Sequence, residues 1–255
     1  MKAILRYILP FCFILLWGCD NIDKDERLIE IEIPAAQKSV LIEEFSGQKC
    51  VNCPTAAAEA QAIQESYETG KVVVVCIHAG FDALPTLSTA DGETYNSHWG
   101  ITTYPAGLVD RKGVSEYAQW SGLVRERIAM EAPVEIGSSC EYDTLGHTAT
   151  LKLHLRGVQN IDGNLQVWLT QDSLVAPQRT PTGINRVYVH NHIFRAAVNG
   201  TWGSPITLQK GEERDTTLII PFKNESWVPR HMHAVTFVSN ETAGVLQVNE
   251  TTVSR

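Results

Sequence analysis

The chain has 255 residues, 44% hydrophobic and 20% charged, which is enough to build a core and to fill two modest domains or one large one. Its formal net charge of −8 argues against nucleic acid as a partner, because binding phosphate backbones needs a basic surface. No glycine-rich phosphate loop is present.

The first predicted element is a targeting segment. Lys2 and Arg6 form a basic start, and residues 8–17 are an apolar run too short to cross a bilayer as a stable helix. The run ends Leu15-Leu16-Trp17-Gly18-Cys19, which resembles the bacterial lipobox. That resemblance implies a signal peptide over 1–18, cleavage after Gly18 and a lipid anchor on Cys19, by which the protein would bind a membrane. Each buried acyl CH₂ contributes about 0.8 kcal/mol. The plainer alternative is a cleaved signal with Cys19 incidental. Residues 19–37 read as an acidic tether, beginning Asp20-Asn21-Ile22-Asp23. It is either a solvated linker or resembles the signal that sends some Bacteroidetes-type lipoproteins to the cell surface. Loss of Lys2 and Arg6 takes the charge from −8 to −10.

Export bears on the six cysteines, which are Cys12, Cys19, Cys50, Cys53, Cys76 and Cys140. Four thiols would remain in an oxidising compartment, where disulfides persist. Cys50 and Cys53 are the obvious pair. Cys76 and Cys140 read as small buried apolar residues.

Residues 38–45 read as a strand, 54–69 as an Ala-rich helix with Pro54 in its first turn, and 71–77 as a central strand buried on both faces. This is a βαβ unit. A short helix follows over 90–99, then a hairpin strand over 114–117 and a helix over 119–131 carrying Trp120, Leu123, Val124 and Ile128. From Val134 onward helical periodicity stops. About seven alternating segments follow over roughly 120 residues, at 134–142, 148–155, 165–169, 187–196, 216–222, 233–238 and 245–248, with turns predicted at Asp162-Gly163-Asn164 and Lys210-Gly211-Glu212. They predict an antiparallel sandwich of immunoglobulin-like type.

The Cys50-Val51-Asn52-Cys53 motif gains meaning from its place between a strand and a helix. A thiol there meets free N–H groups and the positive end of the helix dipole, which favour thiolate, the attacking species in disulfide exchange. Together with Leu41-Ile42-Glu43-Glu44-Phe45 before it, the motif resembles the redox centre of the thioredoxin superfamily. Trp99-Gly100-Ile101-Thr102-Thr103-Tyr104-Pro105 resembles that superfamily's helix end and cis-proline segment. The resemblance covers residues 38–131. It implies that Cys50 attacks, Cys53 resolves, Glu44 relays protons, and Tyr104 with Pro105 shapes a substrate-binding groove. Two departures leave direction and potential open. Lys49 stands where the superfamily has Trp, and Val51-Asn52 replaces Gly-Pro.

Taken whole, the chain resembles Bacteroidetes-type outer-membrane lipoproteins of about 28 kDa, the mass of this chain. Phe45-Ser46-Gly47-Gln48-Lys49-Cys50-Val51-Asn52-Cys53-Pro54 and His190-Asn191-His192-Ile193-Phe194 carry that resemblance. The expected fold is therefore an α/β thioredoxin-like domain over 38–132 followed by an all-β immunoglobulin-like sandwich over 133–255. The expected place is the outer membrane, on its periplasmic face or at the cell surface.

Two His-x-His pairs, His190/His192 and His231/His233, could chelate a metal from one strand face, but with no third ligand they read as polar residues of a solvated sheet. No metal site and no cofactor beyond the disulfide and the lipid is expected. His78 reads as a strand-end residue, and Trp168, Trp202 and Trp227 as core. Two functions compete. One is thiol–disulfide exchange on exported cysteine-containing proteins or with a redox partner. The other is a non-catalytic surface or envelope protein with a structural Cys50–Cys53 disulfide.

Overall fold

The computed structural model describes residues 36–222, 224 and 226–254. The predicted signal peptide, Cys19 and nearly all of the acidic tether lie outside the described residues. In chain order the first elements are β1 (Ala36–Gln37), β2 (Val40–Ser46), α1 (Cys53–Glu65), β3 (Val72–His78), α2 (Ala90–His98), β4 (Ala106–Val109), β5 (Val114–Ser115) and α3 (Tyr117–Ile128). Apart from one 3-10 turn at Pro229–His231, strands make up the rest: β6 (Glu131–Ala132), β7 (Val134–Asp143), β8 (Thr148–Gly157), β9 (Ile161–Gln171), β10 (Leu174–Thr180) and β11 (Gly183–His190). The last are β12 (Ile193–Ala197), β13 (Ser204–Leu208), β14 (Glu213–Pro221), β15 (Met232–Asn240) and β16 (Gly244–Ser254).

Strands β2 and β3 are buried at every position, so both faces of this parallel pair need cover. Helices α1 and α3 cover one face. There Val40, Ile42, Val72 and Val74 meet Ala56, Ala60, Ile63, Trp120 and Val124. The opposite face, with Leu41, Phe45, Val73, Val75 and Ile77, packs on Trp168, Phe194, Val235, Phe237, Val245 and Val248. Those residues belong to β9, β12, β15 and β16. The cover is therefore supplied largely by strands from the C-terminal half.

This corrects the expected fold class. The chain does not resolve into an α/β thioredoxin-like domain followed by an immunoglobulin-like sandwich. It is mostly β, and its main sheet has twelve strands in the order β14-β8-β7-β16-β15-β9-β12-β3-β2-β4-β5, with β13 also on β9. The halves join where β12 meets β3 in parallel at Ile193 and Cys76, and the Cys76 N–H donates to the His192 carbonyl at 2.8 Å. The described residues belong to one compact unit, which holds every core cluster among them. Three α-helices stand among the described residues. The physical reason is the two-sided burial of β2 and β3, which no helix pair among the described residues satisfies alone.

Local departures have local causes. Asp162-Gly163-Asn164 reads as a turn but lies inside β9. A Cβ on Gly163 would sit 2.6 Å from the Ser239 carbonyl, so the glycine serves close strand approach. Strands β10 and β13 have no counterpart in the pattern read from sequence, and residues 187–196 divide into β11 and β12 at His192, whose φ is 58°. Lys210-Gly211-Glu212 does connect β13 to β14.

Buried charges lie where β2 and β4 meet the C-terminal strands. Asp110 is fully buried and takes ion pairs from Lys38 at 3.0 Å and Arg127 at 2.9 Å. Its Oδ1 accepts the Leu41 N–H, and its backbone carbonyl accepts the Val245 N–H. The next residue, Arg111, pairs with fully buried Glu43 at 2.6 Å. Arg111 also bonds Gln166 of β9 and lies 5.3 Å from the Trp168 ring and 4.8 Å from the Phe237 ring. Breaking a buried pair by removing one partner orphans a charge. Arg111→Met is expected to lower stability by about 3–5 kcal/mol in urea unfolding. Adding Glu43→Gln should restore part of that loss.

Candidate functional site

The Cys50–Cys53 disulfide forms in the loop between β2 and α1, with Cα atoms 5.5 Å apart. Cys53 is the first residue of α1 and Pro54 the second, as the missing proline N–H permits. The Cys53 N–H donates to Cys50 Sγ at 3.1 Å. The loop is pressed against residues 80–83. A Cβ on Gly47 would lie 2.4 Å from the Asp82 backbone, so only glycine fits there. Lys49 donates its N–H to the Asp82 carbonyl and its ammonium to the Phe81 carbonyl.

Both cysteines are buried, with 4% and 2% of their surface exposed. Part of the cover is the hairpin β10–β11, a two-stranded sheet of its own. Its Gln178 amide donates to the Cys50 carbonyl at 2.8 Å and to the Gly47 carbonyl at 3.3 Å. The Arg179 N–H donates to the Gln48 carbonyl at 2.8 Å. The hairpin is thereby bonded to both sides of the first cysteine.

A cavity of about 130 Å³ lies beside the disulfide, lined among others by Glu44, Cys53, Cys76, His78, Tyr188 and His190. Glu44 and Cys76 are register partners on β2 and β3. Burial pushes the Glu44 carboxyl up to about 8, against weaker hydrogen bonding with Ser46 and Cys76. Its Oε1 is buried without a hydrogen-bond partner. Burial also drives the Cys76 thiol well above its ordinary range, with the nearby Glu44 carboxyl adding to the shift. His78 is pushed down to about 3 by burial and by His190 and Arg195, so it is neutral. His190 is pushed down to about 4 by burial, and its Nε2 has no partner. The cavity wall thus holds a neutral carboxyl, a neutral thiol and two neutral imidazoles at pH 7.

Of the residues singled out in the sequence, Cys50, Cys53 and Glu44 come together. Tyr104 and Pro105 do not line the cavity. Their peptide bond is cis, and the Tyr104 hydroxyl donates to Asn96 at 2.6 Å while its ring packs on Phe81. The His-x-His pairs are split. His190 and His192 both line the cavity, but His192 also meets His233 at Asp172, 3.6 Å and 3.1 Å from its carboxylate. Among the described residues no group of three or more His, Cys, Asp or Glu could hold a metal ion. Trp168 is core, but Trp202 is 39% exposed and stacks on His98. Gln178 and Tyr188 were missed as site residues, and His190, noticed for its His-x-His spacing, is a buried cavity residue and not one of a solvated sheet. The signal was the alternation Leu174-x-Ala176-x-Gln178, which Pro177 disguised; proline is admissible on such an exposed edge.

A buried disulfide under a bonded hairpin can rigidify a loop or, if uncovered, exchange with thiols. The model for the family described as outer membrane protein Omp28 matches residues 92–255. Among solved structures, HBP35 of Porphyromonas gingivalis is similar at a TM-score of 0.71 and 14% identity, over 87% of this chain and 77% of that one. This is a likeness of fold. A β-glucosidase from Listeria innocua in complex with glucose reaches only 0.26, at 20% identity, over 48% of this chain and 16% of that one. No curated protein matches the chain in sequence.

The carboxyl of Glu44 yields a pH prediction. Its pKa is raised in the folded state, so this group holds more of its proton in the folded chain than in the unfolded one between about pH 4.5 and pH 8. Its contribution to stability therefore falls as pH rises through that window, whereas the lowered pKa values of His78 and His190 make theirs rise with pH up to about 6.5. Glu44→Gln is expected to flatten the fall between about pH 6.5 and pH 8, read as the pH dependence of the urea midpoint.

Proposed function

This chain belongs to the Omp28 family of outer membrane proteins, and on that premise we propose that it serves there as a non-catalytic binding or structural protein whose Cys50–Cys53 disulfide is a staple. The observation that carries this reading is the burial of both sulfur-bearing residues beneath a hairpin hydrogen-bonded to the loop that holds them. Disulfide exchange requires a thiolate to reach a disulfide sulfur, and here the approach is covered. The covering amide, Gln178, bonds two carbonyls of the redox-type loop and would have to leave them first. The staple holds the turn on which β10–β11 is seated. A lipid on Cys19 would anchor the chain to the membrane.

A second reading is thiol–disulfide exchange on exported cysteine-containing proteins after the hairpin lifts. What favours it is Glu44, a carboxyl titrating at about 8 on the same cavity wall as Cys53. The roles that the thioredoxin resemblance implies for Cys50, Cys53, Glu44, Tyr104 and Pro105 belong to this reading. Its substrates would be proteins rather than small molecules, since the covered loop has to be presented to an extended chain.

Thiol trapping during reduction by dithiothreitol separates the two readings. The staple is expected to reduce at least tenfold more slowly in the folded protein than in urea, and insulin should not be reduced. Gln178→Ala should speed reduction several-fold. Cys50→Ser with Cys53→Ser should lower stability by about 2 kcal/mol, as a short closed loop implies. Reduction as fast as in the unfolded chain, with insulin turnover, would establish the exchange reading instead.

A further inference from the structure

The β10–β11 hairpin has two unlike faces. Leu174, Ala176 and Gln178 pair across to His190, Tyr188 and Asn185, and Ala176, Gln178 and His190 are buried against the body. On the other face Val175 pairs with Val189 and Arg179 with Ile184. A register shift between Ala176 and Gln178 leaves Pro177 opposite Arg186 and Val187. This outer face is open. Val175 is 64% exposed, Ile184 63%, Val187 72% and Val189 50%. Exposed β-branched side chains gathered on one hairpin mark an interaction surface.

Charge says what the surface meets. From 173 to 192 the sequence holds no Asp or Glu, in a chain of net charge −8. It holds Arg179 and Arg186, both exposed. A groove of about 320 Å³ beside the hairpin's turn end is lined by Leu84, Pro177 and Ile184, with Lys49 and Arg179 among its walls. Aliphatic side chains beside guanidinium and ammonium groups match an acyl surface bearing phosphate, since arginine binds phosphate in a bidentate fork. An isologous contact between two copies would instead set the same arginine-bearing face against itself. The acidic body is repelled by an anionic surface, so the hairpin is the part that such a surface would orient toward itself.

We infer that the outer face of the β10–β11 hairpin docks the protein on a phosphate-bearing lipid surface, with Val175, Ile184, Val187 and Val189 entering the interface and Arg179, Arg186 and Lys49 meeting headgroups. The inference rests on the outer-membrane reading and on the staple that seats the hairpin. It is independent of any lipid on Cys19, which supplies tethering but no orientation.

The test uses residues 20–255, the chain left once the predicted leader and the lipid-bearing Cys19 are removed, so that no leader or lipid contributes binding. Co-sedimentation is measured with vesicles of phosphatidylcholine alone and with phosphatidylglycerol added. Binding to the phosphatidylglycerol vesicles is expected, weakened at least tenfold in pure phosphatidylcholine. Ile184→Ser with Val187→Ser, and separately Arg179→Gln with Arg186→Gln, should each reduce it about tenfold while circular dichroism and melting temperature hold. No binding, equal binding to both vesicles, or binding unchanged in these variants overturns the inference. So does a dimer in light scattering that Val187→Ser dissolves, which would make the face a contact between copies. Slow dithiothreitol reduction without vesicles keeps the staple reading standing even then.

Discussion

Two-sided burial of the β2–β3 pair is the constraint from which most of this architecture follows. A parallel pair with every residue buried cannot stand with one face in water. Helices α1 and α3 dress one side. The other side takes Trp168, Phe194, Val235 and Phe237 from strands more than eighty residues further along the chain. Once those strands are seated, the chain is committed to one continuous sheet, and the edge contact of β12 with β3 at Cys76 completes it. The ion pairs of Asp110 and Arg111 sit at the same junction and satisfy polar groups that this packing removes from water.

The same junction shapes the site. Because β12 runs beside β3, the preceding hairpin is delivered over the loop that carries Cys50. A motif that by itself predicts an exposed, reactive thiol pair becomes a covered disulfide. The environment of Glu44 changes with it. A carboxyl between two strands, walled by Cys53, Cys76 and two neutral imidazoles, has little solvent to ionise into. The hairpin's inner face is thus part of the core, and its outer face is left apolar and cationic on an otherwise acidic protein.

Much of this was legible residue by residue. The strand–Cys-x-x-Cys–helix order, the Ala-rich α1 with Pro54, the apolar β3 and the alternating strands after Val134 all follow from local pattern, and each has its counterpart in the structure. The misreadings share one cause, which is contact between residues distant in sequence. Asp162-Gly163-Asn164 has turn chemistry, yet Gly163 is there because the Ser239 backbone passes close by. Pro177 and Pro181 suppress the strand signal of β10, whose partner lies after the turn and whose outer face needs no ladder. His190 and His192 look like one chelating pair and both line the cavity, but the chain turns at His192, whose φ is positive, and its imidazole also meets Asp172 beside the distant His233.

Sequence alone determined the elements with strong local periodicity and the pairing of Cys50 with Cys53, because three-residue spacing and strand alternation are short-range geometry, while the place of Glu44 beside them was implied by the thioredoxin resemblance. Tertiary structure decided the rest. Which surface covers β2 and β3, whether the disulfide meets solvent, and which face of the hairpin stays outside all depend on long-range packing between halves of the chain. Local pattern carries no record of that packing, since a buried valine reads the same whether a helix or a distant strand lies against it.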